Sequence, residues 1–202
     1  MDVRPILLSF QTAIIAILFT FVLGTGVAYI VFRLKNRKLK ILLNSLFTLP
    51  LVLPPTVFGF FLLTIFGVQQ PVGQFLLDFF AIQVVFSWPA TVIAAVAVSF
   101  PLMYRSALTA FEQMDSELLA VAQTLGFSES RYFRKIALPL SMNGLLAGGV
   151  LAFARGLGEF GATTMLAGNI AGKTRTLPLA IYSAVASGDW RLANQYVVIM
   201  LL

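Results

Sequence analysis

The sequence predicts an all-α integral membrane protein, a single helical domain over residues 1–202. Three observations carry this. The chain is 59% hydrophobic and 11% charged, with a mean hydropathy of +0.92, whereas a soluble domain carries roughly 25% charged residues. The apolar residues fall into uncharged runs long enough to cross a bilayer, which takes about 20 residues. Five of the fourteen basic residues gather in one short loop between such runs. Hiding this much apolar surface from water needs a larger core than 202 residues can wrap, so the bilayer is the simpler solvent. Cysteine and histidine are both absent. That excludes disulfides, thiolate nucleophiles, Cys/His zinc sites and histidine general bases. A net charge of +6 would suit nucleic acid, but the placement of that charge fits a membrane better.

Ile6 to Phe32 contains 27 residues without a charge and is the first expected span. A signal peptide would have a shorter apolar core and a small-residue cleavage site. RLKNRKLK follows at 33–40, with five basic residues and no acid. Ile41 to Gly67 is the second uncharged span and holds the proline cluster LPLVLPP at 49–55. Prolines remove backbone donors and kink helices. The freed carbonyls must be met by neighbouring protein or a wet cavity, so the cluster is either a packing kink or part of a pathway lining. Residues 68–81 read as a turn region. The third span runs from about Ile82 to Tyr104, and a fourth from near Ile136 past Phe160. Residues 167–191 are polar and glycine-rich around a short apolar piece, LPLAIYSAVA. The last apolar run begins at Leu192. Its 11 residues are too few to cross about 30 Å at about 1.5 Å per residue, so the chain is expected to continue past Leu202.

Orientation follows from the basic residues. Loop 33–40 and segment 105–135 together hold nine, and the opposite side holds four: Arg4, Lys173, Arg175 and Arg191. Residues 33–40 and 105–135 are therefore expected in the cytoplasm, with the N-terminus and 167–191 outside.

Segment 112–135 is the longest polar island. Leu118, Leu119, Val121, Ala122 and Leu125 share one helical face, Gly126 suits a helix terminator, and Ser128 suits the cap of a second short helix with Glu129 in its first turn. Pro139 marks entry to the next span. Three readings fit: an interfacial loop, a membrane-surface helix, or a docking element for a soluble partner. The acids Glu112, Asp115, Glu117 and Glu129 count against anionic lipid. The small residues Ala120, Ala122 and Gly126 would let a helix sit deep in a cleft.

Gly126 is followed by nine residues and then Ile136, Ala137, Leu138 and Pro139. This resembles the cytoplasmic signature of ABC importer permeases, in which EAA, three residues and glycine precede nine residues and Ile-x-Leu-Pro. Ala120 stands where that signature has glutamate. The resemblance implies a coupling helix, with Ala120, Ala122, Gln123, Thr124, Leu125 and Gly126 contacting a separate ATPase subunit and Ile136, Leu138 and Pro139 closing the signature. It also implies about five to six transmembrane helices. LPLVLPPTVFGF at 49–60, SFPLMYRS at 99–106, LGEFGAT at 157–163 and GKTRTLPLAIY at 172–182 resemble the molybdate/tungstate permeases, which are close to the sulfate/thiosulfate permeases. LGEFGA alone is common to both. The resemblance implies a homodimer with two ATPase subunits below, an extracytoplasmic oxyanion-binding protein above, and no cofactor bound by this chain.

Arg155 and Glu159 are spaced to share one face of the fourth span. Charges at that depth are costly and usually pair. The pair is either a structural clamp or an element of the path or gate, with Gly158 and Gly161 beside it. Gly144 and Gly148 have the GxxxG spacing of close helix packing. GNIAGKT at 168–174 imitates a phosphate loop, but only three residues separate its glycines and no strand is expected before it. Two other classes remain open. An ion-coupled transporter would need intramembrane acids, and Glu159 is the only candidate. A membrane enzyme would have little catalytic chemistry available.

Overall fold

The computed structural model describes residues 1–115 and 117–201. Ser116, inside the expected docking segment, and Leu202 lie outside the described residues. The chain forms α1 (Arg4–Arg33), α2 (Arg37–Val52), α3 (Pro55–Phe66), α4 (Pro71–Phe80), α5 (Trp88–Glu112), α6 (Glu117–Thr124) and α7 (Glu129–Tyr132). A π-helical turn at Phe133–Ala137 leads into α8 (Leu138–Leu140), α9 (Met142–Leu157), α10 (Gly161–Ala167), α11 (Leu177–Ala186) and α12 (Trp190–Leu201). No strand occurs among the described residues.

The centre of the bundle is α5, with α1 on one side and α9 on another. Small residues explain how closely they approach. The buried stripe of α1 includes Thr12, Ala13, Ala16, Thr20, Gly24 and Ala28, at the three- and four-residue steps that keep one face inward. A Cβ at Gly24 would lie 2.7 Å from the side chain of Met103, so only glycine admits α5 there. Two hydroxyl pairs cross the same contact, Thr12 with Thr91 at 3.0 Å and Thr20 with Ser99 at 3.1 Å. Such interhelical bonds average about 0.6 kcal/mol each within a membrane protein. Gly144 and Gly148 seat α9 on α5, where a Cβ would come within 2.6 Å of Ala110 and 2.5 Å of Ser106. Large side chains such as Leu18, Val22 and Ile30 of α1 face outward instead, as lipid permits and water does not.

By length and composition two helices can cross a bilayer, α1 and α5, or up to four spans if each of two bent helix pairs counts as one. The expected second span is one of these pairs rather than a straight helix. α2 and α3 meet at 113° around Leu53 and Pro54, where consecutive prolines remove the donors that would continue the ladder. The expected fourth span is also broken. Helical structure begins at Glu129, bends by 73° near Ser141, and α9 stops at Leu157 instead of running past Phe160. The third begins later than expected, at Trp88, and reaches Glu112. Residues 82–87 are held off the helix by Phe86, whose φ is 58° and whose N–H donates to the Leu166 carbonyl at 3.1 Å. The expected turn at 68–81 contains α4, started by Pro71 and ended by Ala81 in the left-handed region.

Candidate functional site

The polar island after α5 folds as two short helices hinged at Gly126. Gly126 has φ +76°. Its N–H donates to Gln123 O at 3.0 Å, and the Phe127 N–H donates to Ala122 O at 2.9 Å. This bond pair is the Schellman arrangement, which needs a left-handed residue at the first position past the helix. The Ser128 hydroxyl then accepts from the Arg131 N–H at 3.4 Å and caps α7. The Arg131 guanidinium lies 5.7 Å from the Phe127 ring centre. Tyr132 packs in the core cluster and anchors α7 there, and that burial pushes its phenol above its usual range against the opposing field of Arg33.

The apolar face expected for α6 divides in two. Leu118, Leu119 and Ala122 pack into the cluster formed by Ala28, Tyr104, Phe111 and Leu145. Val121 and Leu125 are 53% and 70% exposed. Ala120, Gln123, Thr124 and Gly126 are exposed with them. Ala122 differs from its neighbours: only 2% exposed, its side chain packs in this chain's own core. Ile136 and Leu138 are half-buried against the same cluster, and Pro139 is exposed. Pro139 supplies no N–H, and the ladder before it widens into the π turn.

Two contacts in this region were not anticipated. Arg33, the last residue of α1, reaches Glu129 at 2.5 Å, and Lys40 of α2 reaches Glu112 at 2.7 Å. They place loop 33–40 and the polar island on one side of the bundle. Their signal was present as an acid-free basic loop and a separate acidic island. Pairing them across 96 and 72 residues requires the fold.

Arg155 and Glu159 do meet, with Nη1 to Oε2 at 2.7 Å. They do not share a helix, because Glu159 lies beyond the end of α9 in the break before α10. Its second oxygen accepts from the Ala162 N–H at 2.7 Å, so one buried carboxylate neutralises Arg155 and caps the next helix. Gly158 is exposed in that break. Gly161 is buried, and a Cβ there would lie 2.9 Å from Pro55, which brings the charge pair's loop against the proline elbow. On the opposite side, Lys173 is exposed, whereas Arg175 donates to Asn169 at 2.7 Å and lines a cavity of about 780 Å³ with Asp2, Asp189 and Arg191. The GNIAGKT loop follows a helix. The N–H groups of Lys173, Thr174 and Arg175 all turn onto the Ile170 carbonyl, which leaves none of the three to cradle a phosphate. Among the described residues no acidic cluster could hold a metal ion.

Comparison with known proteins is decisive at this point. Residues 20–202 match the family of binding-protein-dependent transport system inner membrane components. This chain belongs to that family. The membrane component is 46% identical over 194 residues to the putative molybdenum transport system permease protein YvgM of Bacillus subtilis, covering 96% of this chain and 85% of that protein. It is 44% identical to the molybdenum transport system permease protein ModB of Haemophilus influenzae, at 92% and 80% coverage, and of Escherichia coli K12, at 90% and 79%. A solved structure of the inward-facing MetNI methionine ABC transporter shares its fold, with a TM-score of 0.74 at 16% identity over 98% of this chain and 87% of that one. The membrane component therefore has the type I ABC importer permease fold. Membership implies an ATPase partner and a binding protein.

Proposed function

We propose that this chain is the permease subunit of an ATP-driven molybdate importer, with tungstate as the closest competing substrate. The observation that carries the reading is the 44–46% identity to molybdenum permeases over nine-tenths or more of the chain. Two copies would enclose the path, with two ATPase subunits on the side of loop 33–40 and an oxyanion-binding protein on the side of 167–191. Loop 33–40 would face the cytoplasm and the N-terminus the outside, as the excess of basic residues favours.

The exposed row Ala120, Val121, Gln123, Thr124, Leu125 and Gly126 suits the ATPase cleft. Its small residues allow close approach, and Val121 with Leu125 supplies apolar surface. Closure of the ATPases on ATP would draw the two docking segments together and open the path outward for the anion. Hydrolysis would restore the inward-facing state. Arg155 and Glu159 would hold the α9–α10 break beside the elbow, as a clamp that also shapes the path. The chain would bind no cofactor and carry out no chemistry on its cargo, and selectivity would rest mainly with the binding protein. Membrane vesicles containing this chain, its ATPase and its binding protein should accumulate molybdate only with ATP, and tungstate should compete better than sulfate. Accumulation driven by an ion gradient without the ATPase would overturn the reading, and preferential sulfate uptake would move it to the sulfate class.

A further inference from the structure

α2 is unusual within this bundle. It is 16 residues long and has no buried residue. Its hold on α5 rests on few side chains: Leu43 and Phe47 packed against the core, with Phe47 edge-on to Tyr104 and Phe100 at 5.2 and 5.8 Å, a hydrogen bond from the Tyr104 hydroxyl to Asn44, and the Lys40–Glu112 ion pair at 2.7 Å. Glu112 is the last residue of α5 and the first of segment 112–135. At its other end α2 enters the 113° elbow, and α3 beyond it packs on α10. There Pro55 abuts Gly161, two residues from Glu159. A helix with so little burial is positioned by small forces. An ion pair worth little elsewhere can therefore set where α2 lies.

We propose that Lys40 and Glu112 form a strap that makes α2 follow the docking segment, carrying the motor's movement to the proline elbow and the Glu159 break. Lys40 is a positioning residue, acting through α2 and not on the anion. Arg33–Glu129 is the matching strap on α1, anchored by Tyr29, whose ring lies 4.5 Å from that of Phe133. The inference rests on the docking role proposed above, and it adds a route into the membrane that leaves α5 at its last residue, Glu112, and runs through α2.

The test uses the complete complex with its ATPase and binding protein. The chain has no cysteine, so Val52→Cys at the elbow, a position 81% exposed, reports α2 through its rate of maleimide labelling. A non-hydrolysable ATP analogue should change that rate in the parent complex. K40E should abolish the change and raise the ATP spent per anion accumulated by about fivefold, the factor matching the upper range of exposed ion pairs. The swap K40E/E112K should restore both. K38E removes equal charge from the same loop at a residue with no ion-pair partner among the described residues, and it should leave both readouts unchanged. A labelling rate insensitive to the analogue in the parent complex, a K40E complex that behaves as the parent, or a swap that fails to restore coupling would each overturn the strap. The labelling readout needs no transported anion. A nucleotide-sensitive elbow in a complex that accumulates none of molybdate, tungstate and sulfate would remove the transport reading and leave the strap standing.

Discussion

Glu159 shows how one residue can hold two requirements at once. It is 2% exposed, and both oxygens are satisfied, one by Arg155 and one by the Ala162 N–H. Arg155 keeps a third of its side chain open, so the two partners are unequal in what their loss costs. Removing Arg155 strands a buried carboxylate. Removing only the charge of Glu159 leaves an amide that still caps α10 and a guanidinium that can turn toward its open side. R155A should therefore destabilise the protein by about 3 kcal/mol and E159Q by about 1–2 kcal/mol, ranked by thermal unfolding in detergent. Equal losses would mean that the stranded carboxylate costs no more than the lost ion pair. The sequence made this pair legible by its spacing but misplaced it on one helix. Sequence spacing cannot register the break at Gly158, because glycine and the following Phe-Gly are equally at home in a tightly packed membrane helix.

At the scale of the element, α6 separates side chains that seat the helix from those left exposed. V121D and L125D should abolish retention of the ATPase in a pull-down while the chain still inserts and keeps its thermal stability, since both side chains are more than half exposed. G126D should abolish coupled uptake with insertion intact. Nothing lies within 4 Å of a Cβ there, so the damage to the chain itself is limited to the left-handed strain of about 1–2 kcal/mol. A122L should behave in the opposite way, destabilising the bundle by about 1–3 kcal/mol through overpacking. Loss of ATPase binding by a stable A122L protein would show that this face is not the one that seats α6. Helical period grouped five apolar residues, of which Leu118, Leu119 and Ala122 seat the helix. It had no means of telling which half of that face meets α1 and α5, because that depends on how α5 delivers the segment.

At the scale of the whole molecule, the two ion pairs bring loop 33–40 and the docking segment together, while Arg4, Lys173, Arg175 and Arg191 gather near the other end. A cysteine replacing the exposed Lys173 should react with an impermeant maleimide in intact cells. One replacing the exposed Lys38 should react only after the membrane is opened. The reverse pattern would invert the proposed orientation. The basic residues made the two sides legible before any fold was known, because insertion responds to charge counts in short loops. The path between those sides was not legible. The elbow and the Glu159 break lie inside runs that read as continuous apolar spans, and the π turn straddles the end of the polar island.

The sequence by itself determined the solvent, the helical class, and the polar island with its two short helices hinged at Gly126. These follow from local properties: hydropathy, charge, helical period and the conformational freedom of one glycine. Only the tertiary structure decided that the second and fourth spans are bent, that Ala122 faces inward, that Glu159 caps a new helix, and that Lys40 meets Glu112. Each of these depends on contacts between segments distant in the chain. In a bilayer every segment is already apolar, so hydrophobicity does not distinguish one partner from another. Close fit at Gly24, Gly144 and Gly148, and a few polar pairs, make that choice instead.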